Sequence, residues 1–359
     1  MQMHNTMVRQ AEERDKKRLE QDLKKKEKRE QQLLKNAAAW QNEFIPNWDE
    51  KRDSKRMIET AEEGIPPKFR GKAWALSVGN DLNITEELFS ICLERARAAL
   101  SIQKAKHSRH SPSSSSSSIS SAGSSPTGEP ANMYLRALGK EDTVELITTD
   151  LTRTFPSLGF FQVGGPFYEP LRNVLEAYVC YRPDIGYVQG MSFLAGMLLL
   201  NVDTLDAFKI LCNMLNRRCH MAFFQMDLKK IQSYKEVFKV LFQELLPALY
   251  AHFEHIGVEL ELFIFDWFIT LYARSLPLEI ASRIWDVYFL QGEYFLFKAA
   301  IGILRTIEKR LLGQPFDVVA YDLTHLPVME ETEFFENVHT LLLPEKKFAA
   351  ILAKHVPKL

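Results

Sequence analysis

Cysteine, glycine and proline are all scarce in this 359-residue chain, at 4, 16 and 16 residues. Four scattered cysteines (Cys92, Cys180, Cys212 and Cys219) cannot frame a disulfide-stabilised domain. So few glycines and prolines leave too little turn chemistry for a large all-β fold. Net charge is nearly absent too. The 45 basic and 46 acidic side chains sum to −1, which excludes wholesale electrostatic binding of nucleic acid. No apolar run approaches the roughly 20 residues a helix needs to cross lipid. The apolar stretch 189–202 is too short, and 260–273 is interrupted by Glu261 and Asp266. Residues 1–17 carry seven charged side chains from Arg9 onward and hold no secretory apolar core. Free thiols without an export signal point to a reducing, cytoplasmic setting.

What the chain does have is helical periodicity. Apolar residues recur at three-to-four spacing through 168–178, 191–200, 205–215, 234–253, 260–272, 278–290, 295–312 and 334–342. Breakers stand between or within them: Pro183 with Gly186, Pro247, Gly257, Pro277, Gly292, Pro315, Pro327 and Pro344. No Asn-Gly or Asp-Gly hairpin pair and no long β-branched alternation occurs. The pattern predicts an all-α fold. Ahead of it, residues 1–62 read as a charged, mostly helical extension. Residues 14–35 carry ten basic and five acidic side chains, fit for a solvated helix or an arm that meets a partner or an acidic membrane surface. Trp40, Phe44, Ile45 and Trp48 then predict docking onto a core, followed by a charged helix over 49–63. Gly64-Ile65-Pro66-Pro67 breaks that helix and marks the start of the main domain. Serine fills eleven of the fifteen positions 111–125, which predicts a mobile spacer over about 104–131.

The familiar catalytic signatures are missing: no phosphate-cradling Gly-Lys-Ser/Thr loop, no Gly-x-Ser-x-Gly elbow, no His-Glu-x-x-His. Cys219 and His220 adjoin, but no second pair stands at zinc-ligand spacing, so no metal site is expected. Two other segments stand out. Val144, Ile147 and Leu151 form an apolar stripe, with Asp150 one turn before Arg153 on its flank. Pro156 must end this helix, so Arg153 projects from its final turn; spacing alone allows an ordinary ion pair there. In the second segment, 182–191, Pro183, Gly186 and Gly190 predict an irregular loop. Gln189 stands in it at the entrance of an apolar helix, beside a glycine that lets another backbone approach.

Together these segments resemble a known family. Ile147-x-x-Asp150-x-x-Arg153 with Thr154-Phe155-Pro156, and Tyr187-x-Gln189-Gly190-Met191, look like the two catalytic motifs of TBC domains, the GTPase-activating proteins for Rab GTPases. Gly64-Ile65-Pro66 and Arg70-Gly71-x-x-Trp74 are similar to the family's opening motif. Leu276-Pro277-Leu278 and Arg283-Ile284-Trp285-Asp286-Val287 are similar to its C-terminal half. The resemblance spans about 63–356, and Asn80–Thr85 with Arg182-Pro183-Asp184 resembles the branch of family members 12 and 14. It implies a V-shaped pair of helical lobes, about 63–220 and 221–356. It also implies an arginine finger at Arg153 and a glutamine finger at Gln189, offered in trans to a GTP-bound Rab-family small GTPase. Asp150, Tyr187, Ile147 and Gly190 would support them, Arg70 and Trp74 would fix the domain start, and Trp285 and Asp286 would be core positions of the second lobe. No cofactor is implied for the chain itself, because GTP and Mg²⁺ belong to the partner. The chain would regulate an enzyme rather than act as a stand-alone hydrolase, in vesicle trafficking, in the cytoplasm or peripherally on endosomal or other endomembranes. The alternative is a catalytically silent Rab-binding scaffold of the same fold, against which the presence of both fingers speaks.

Overall fold

Every regular element is a helix, and no strand occurs, among the residues that the computed structural model describes: 34–109, 143–356 and isolated positions between 16 and 32. Much of the basic arm 14–35 and all of the serine run 111–125 lie outside the described residues. The chain falls into two compact units, Met1–Ser77 and Val78–Leu359.

Aromatic burial organises the first unit. A π-helical turn, Trp40–Phe44, sets two fully buried rings edge to face at 5.1 Å. The charged stretch read as one helix is two, α1 (Trp48–Lys51) and α2 (Lys55–Glu62). Ser54 restarts the helix, its Oγ accepting the Met57 N–H at 3.3 Å. Beyond α2, Glu63 accepts hydrogen bonds from Gln32 at 2.9 Å and Asn36 at 2.8 Å. Helix α3 (Pro67–Val78) begins on a proline, where a missing donor costs nothing.

The second unit opens on a side-chain-stapled turn. Asn80 Oδ1 accepts the Ile84 N–H at 2.9 Å, and Asn213 accepts the Leu82 N–H at 3.0 Å. Asn83 supplies the left-handed residue, with φ of 50°. Helix α4 (Glu86–Arg109) then runs past residue 104, where the sequence pattern places the start of the spacer. Next come α5 (Thr143–Leu151), α6 (Tyr168–Tyr181), α7 (Met191–Leu199) and α8 (Thr204–Leu215). Helix α6 touches α4, α5, α7 and α8. Within α7 every residue but Phe193 is buried, as a helix apolar at every position but Ser192 requires.

The rest is α9 (Arg218–Phe224), α10 (Leu228–Leu245), α11 (Pro247–Ile256), α12 (Ile264–Ile269), α13 (Leu278–Gln291), α14 (Glu293–Leu311), α15 (Phe316–Thr324), α16 (Glu331–His339) and α17 (Glu345–His355). Pro247 splits the apolar run 234–253 into α10 and α11. The run 260–272 shrinks to a 3-10 turn and the six-residue α12. It ends because Leu271 and Tyr272 both take left-handed φ, 46° and 63°. Trp285 Nε1 donates to Leu271 O at 2.9 Å, and the Tyr272 hydroxyl donates to Leu296 O, holding that turn from α13 and α14. Phenylalanine, 24 residues in the chain, packs densely here: Phe223, Phe238, Phe268 and Phe297 interlock, the closest rings 4.9 Å apart. Cys219 is buried, and His220 Nε2 lies 2.7 Å from the Tyr288 hydroxyl. Burial, then the Arg217 charge, lowers the His220 imidazole to about 3, so it stays neutral. Among the described residues, no cluster of three His, Cys, Asp or Glu is placed to hold a metal ion. No helix among them is long and apolar enough to cross a membrane.

Candidate functional site

Helix α5 stops at Leu151, so Arg153 stands in the turn beyond it rather than in its last helical turn. Two backbone bonds make that turn, Arg153 N to Asp150 O at 3.1 Å and Thr154 N to Leu151 O at 3.2 Å. The buried Thr154 caps it, its hydroxyl donating to Asp150 O at 2.8 Å. Phe155 then reverses the chain with φ of 42°, and its ring packs 5.4 Å from Phe193 and 6.0 Å from Phe161. With its neighbours pinned, Arg153 points outward: its side chain is 66% exposed, and its guanidinium lies 3.9 Å from Asp150 Oδ1. At that distance the pair orients more than it binds.

The loop 182–190 is pinned as firmly. Arg182 forks onto Asp184 at 2.9 and 2.7 Å, and its carbonyl accepts the N–H groups of Ile185 and Gly186. Tyr187 and Val188 are buried, Gln189 is exposed, and α7 begins after Gly190. Gly190 has φ of 102°, and a Cβ there would come within 3.1 Å of the Thr270 methyl. Only glycine satisfies both limits.

One hydrogen bond joins the two turns. The Tyr187 hydroxyl donates to Asp150 Oδ2 at 2.8 Å, inside the protein. Burial, followed by the Asp150 charge and this hydrogen bond, pushes the phenol well above its ordinary value. Tyr187 is therefore a neutral donor throughout the physiological range. Gly196, inside α7, adds a second link, since a Cβ there would sit 2.9 Å from the Thr154 methyl and 3.2 Å from the Phe155 ring. The arginine turn thus rests on the helix that Gln189 and Gly190 introduce.

The remaining residues singled out in the sequence fall around this arrangement or apart from it. Ile147 is buried on the inner face of α5. Trp285 and Asp286 are fully buried in α13. Trp285 reaches the site indirectly, because the Leu271 carbonyl it holds follows Ile269 and Thr270, which flank Gly190. Arg70 and Trp74 belong to the first unit, where the guanidinium stands 6.0 Å from the indole centroid. Periodicity did not single out Gly196 or Thr270. The one legible signal was a glycine inside a largely apolar helix, which costs about 1 kcal/mol unless something packs there.

An all-helical scaffold carries one exposed arginine and one exposed glutamine on two tied turns, and its fold has solved counterparts. It is similar to the crystal structure of the Chlamydomonas flagellar RabGAP TBC domain, with a TM-score of 0.55 and 18% identity over 92% of this chain and 97% of that one. It is equally similar to the Ypt/Rab-GAP domain of Gyp1p, with a TM-score of 0.56 and 17% identity over 91% and 99%. A Rab-GTPase-TBC domain matches residues 67–312, and the chain belongs to that family. Among its relatives are TBC1 domain family member 14 of Homo sapiens and of Bos taurus, each 42% identical over 98% of this chain and 49% of theirs. Drainin of Dictyostelium discoideum is 37% identical over 90% of this chain and 78% of its own length. The chain spans about half the length of the member 14 proteins it matches.

Proposed function

We propose that this chain accelerates GTP hydrolysis by a Rab-family small GTPase, with Arg153 and Gln189 inserted into the partner's active site. The observation that carries this reading is the Tyr187–Asp150 hydrogen bond, 2.8 Å long, because it makes two exposed polar side chains from separate loops one preorganised unit. Membership of the Rab-GTPase-TBC family supplies the partner class.

The chemistry suits these two residue types. Charge develops on the transferring phosphoryl oxygens, and an arginine supplied in trans is worth about 10³–10⁵ in rate. Its guanidinium stays charged and can fork onto two oxygens, which lysine does less well. The Gln189 carboxamide both accepts and donates, so it can orient the attacking water while contacting the γ-phosphate. GTP and Mg²⁺ are the partner's in this scheme, and the chain regulates a hydrolase without being one. Its setting would be vesicle traffic, on the cytoplasmic side of an endomembrane.

Single-turnover hydrolysis across a panel of GTP-loaded Rab-family proteins tests the proposal. Arg153→Ala should lower the maximal rate about 10³-fold or more, and Gln189→Ala roughly 10²-fold, while affinity for the GTPase loaded with a non-hydrolysable GTP analogue is retained. Binding by the wild-type chain without acceleration of any member would leave a binding module and remove the catalytic reading.

A further inference from the structure

Beside the arginine turn, the loop between Phe155 and α6 does something a mere connection would not. It buries backbone and one aromatic ring, yet holds two apolar side chains out in water. Phe161 is fully buried, its ring 5.8 Å from that of Phe167, whereas Phe160 is 43% exposed and Val163 75% exposed. The loop is rigid. Phe167 N–H donates to Phe160 O at 3.0 Å, and Gly165 N–H to Gln162 O at 2.7 Å. Gly159 and Gly164 take φ of 69° and 82°, and a Cβ on Gly165 would collide with Phe160 O at 2.4 Å. It is also tied to the arginine: Gln162 Nε2 donates to the carbonyl of Thr152, the residue before Arg153, at 2.8 Å.

We infer that Phe160 and Val163 form an apolar foot that packs against the GTP-loaded Rab-family GTPase beside its nucleotide and governs affinity for that partner rather than the chemical step. The inference rests on the reading of Arg153 as a residue inserted into the GTPase. An arginine can reach phosphates bound in another protein only if the surface around its own turn is buried against that protein. This loop adjoins Arg153 through the Gln162–Thr152 hydrogen bond. Apolar groups held in place before contact lose little freedom on docking, so their burial is realised as affinity. Two exposed apolar side chains on a mobile loop would not have this property, nor would a rigid loop with a polar tip.

Single-turnover hydrolysis at increasing concentrations of the full chain separates the half-saturating concentration from the maximal rate. For Phe160→Ser/Val163→Ser, we expect the half-saturating concentration to rise roughly tenfold or more, with the maximal rate within about threefold of wild type. Affinity for the analogue-loaded GTPase should weaken in parallel. Val163→Asp alone, at the more exposed position, should do the same in part, and thermal unfolding should be unchanged for it. An unchanged half-saturating concentration overturns the foot, and so does a lowered maximal rate with unaltered affinity. If the wild-type chain accelerates a GTPase and the double variant keeps full affinity, the foot falls alone. If the wild-type chain neither binds nor accelerates any member of the panel, the foot falls together with the catalytic reading.

Discussion

Asp150 divides its two oxygens unequally. Oδ2 takes a buried 2.8 Å hydrogen bond from Tyr187, and Oδ1 faces the Arg153 guanidinium at 3.9 Å. The strong bond is structural and the weak one leaves the arginine free to meet another anion. Tyr187→Phe separates these roles, since it keeps the ring and removes only the donor. It should lower stability by about 1–3 kcal/mol, because a largely buried carboxylate loses its closest partner, measured by urea denaturation. The maximal single-turnover rate should fall with the half-saturating concentration unchanged; a rate equal to wild type would mean the bond does not orient the arginine. The three-residue spacing of Asp150 and Arg153 was readable in the sequence, though Arg153 lies in the turn past the helix rather than on it, and so was the position of Gln189 ahead of an apolar helix. The bond that unites them spans 37 residues, and no local spacing encodes a contact of that range.

At the scale of elements, α7 is the strut on which both turns lean. Its first turn is set by Gly190, whose left-handed φ and contact with Thr270 admit no side chain. Six positions on, Gly196 gives up its own helix propensity to let Thr154 and Phe155 approach. Gly196→Ala sets two effects against each other. Propensity would add about 1 kcal/mol, while forcing a methyl within 2.9 Å of the buried Thr154 methyl costs about 1–3 kcal/mol. Thr154 is pinned by its own hydrogen bond and cannot retreat, so a net loss of about 1 kcal/mol is expected in thermal unfolding. The maximal rate should drop with it, because the methyl pushes on the residue next to Arg153. A gain in stability would show that the turn can slide over α7. Elements resting on periodicity alone, such as α6, α8 and α14, lay close to where the pattern put them. Those that diverged, α11 and α12, did so where Pro247 and a pair of left-handed non-glycine residues cut an apolar run. Proline announces itself in a sequence; Leu271 and Tyr272 do not, since their strain is balanced by Trp285 and the Tyr272–Leu296 bond from helices further along.

For the whole molecule the informative quantity is how a net charge of −1 is divided. The first 60 residues carry +3 and the remainder −4, so net charge favours an acidic surface in the arm and disfavours it in the remainder. The family match begins at residue 67, after it. Where the arm is cut matters. Gln32 and Asn36 both hydrogen-bond Glu63, so a deletion of residues 1–30 keeps that anchor whereas a longer one removes it. We expect this deletion to leave the solution-phase single-turnover rate unchanged. Co-sedimentation of the full chain with phosphatidylserine vesicles should be lost on deletion, since each basic residue near such a surface contributes about 1 kcal/mol. For the intact chain it should weaken steeply with added salt, as the screening length falls to about 10 Å at 0.1 M. Vesicle binding that survives the deletion would place the membrane contact elsewhere. A solution rate that falls as far as that of Arg153→Ala would make the arm part of the catalytic unit instead of a means of bringing it to its substrate.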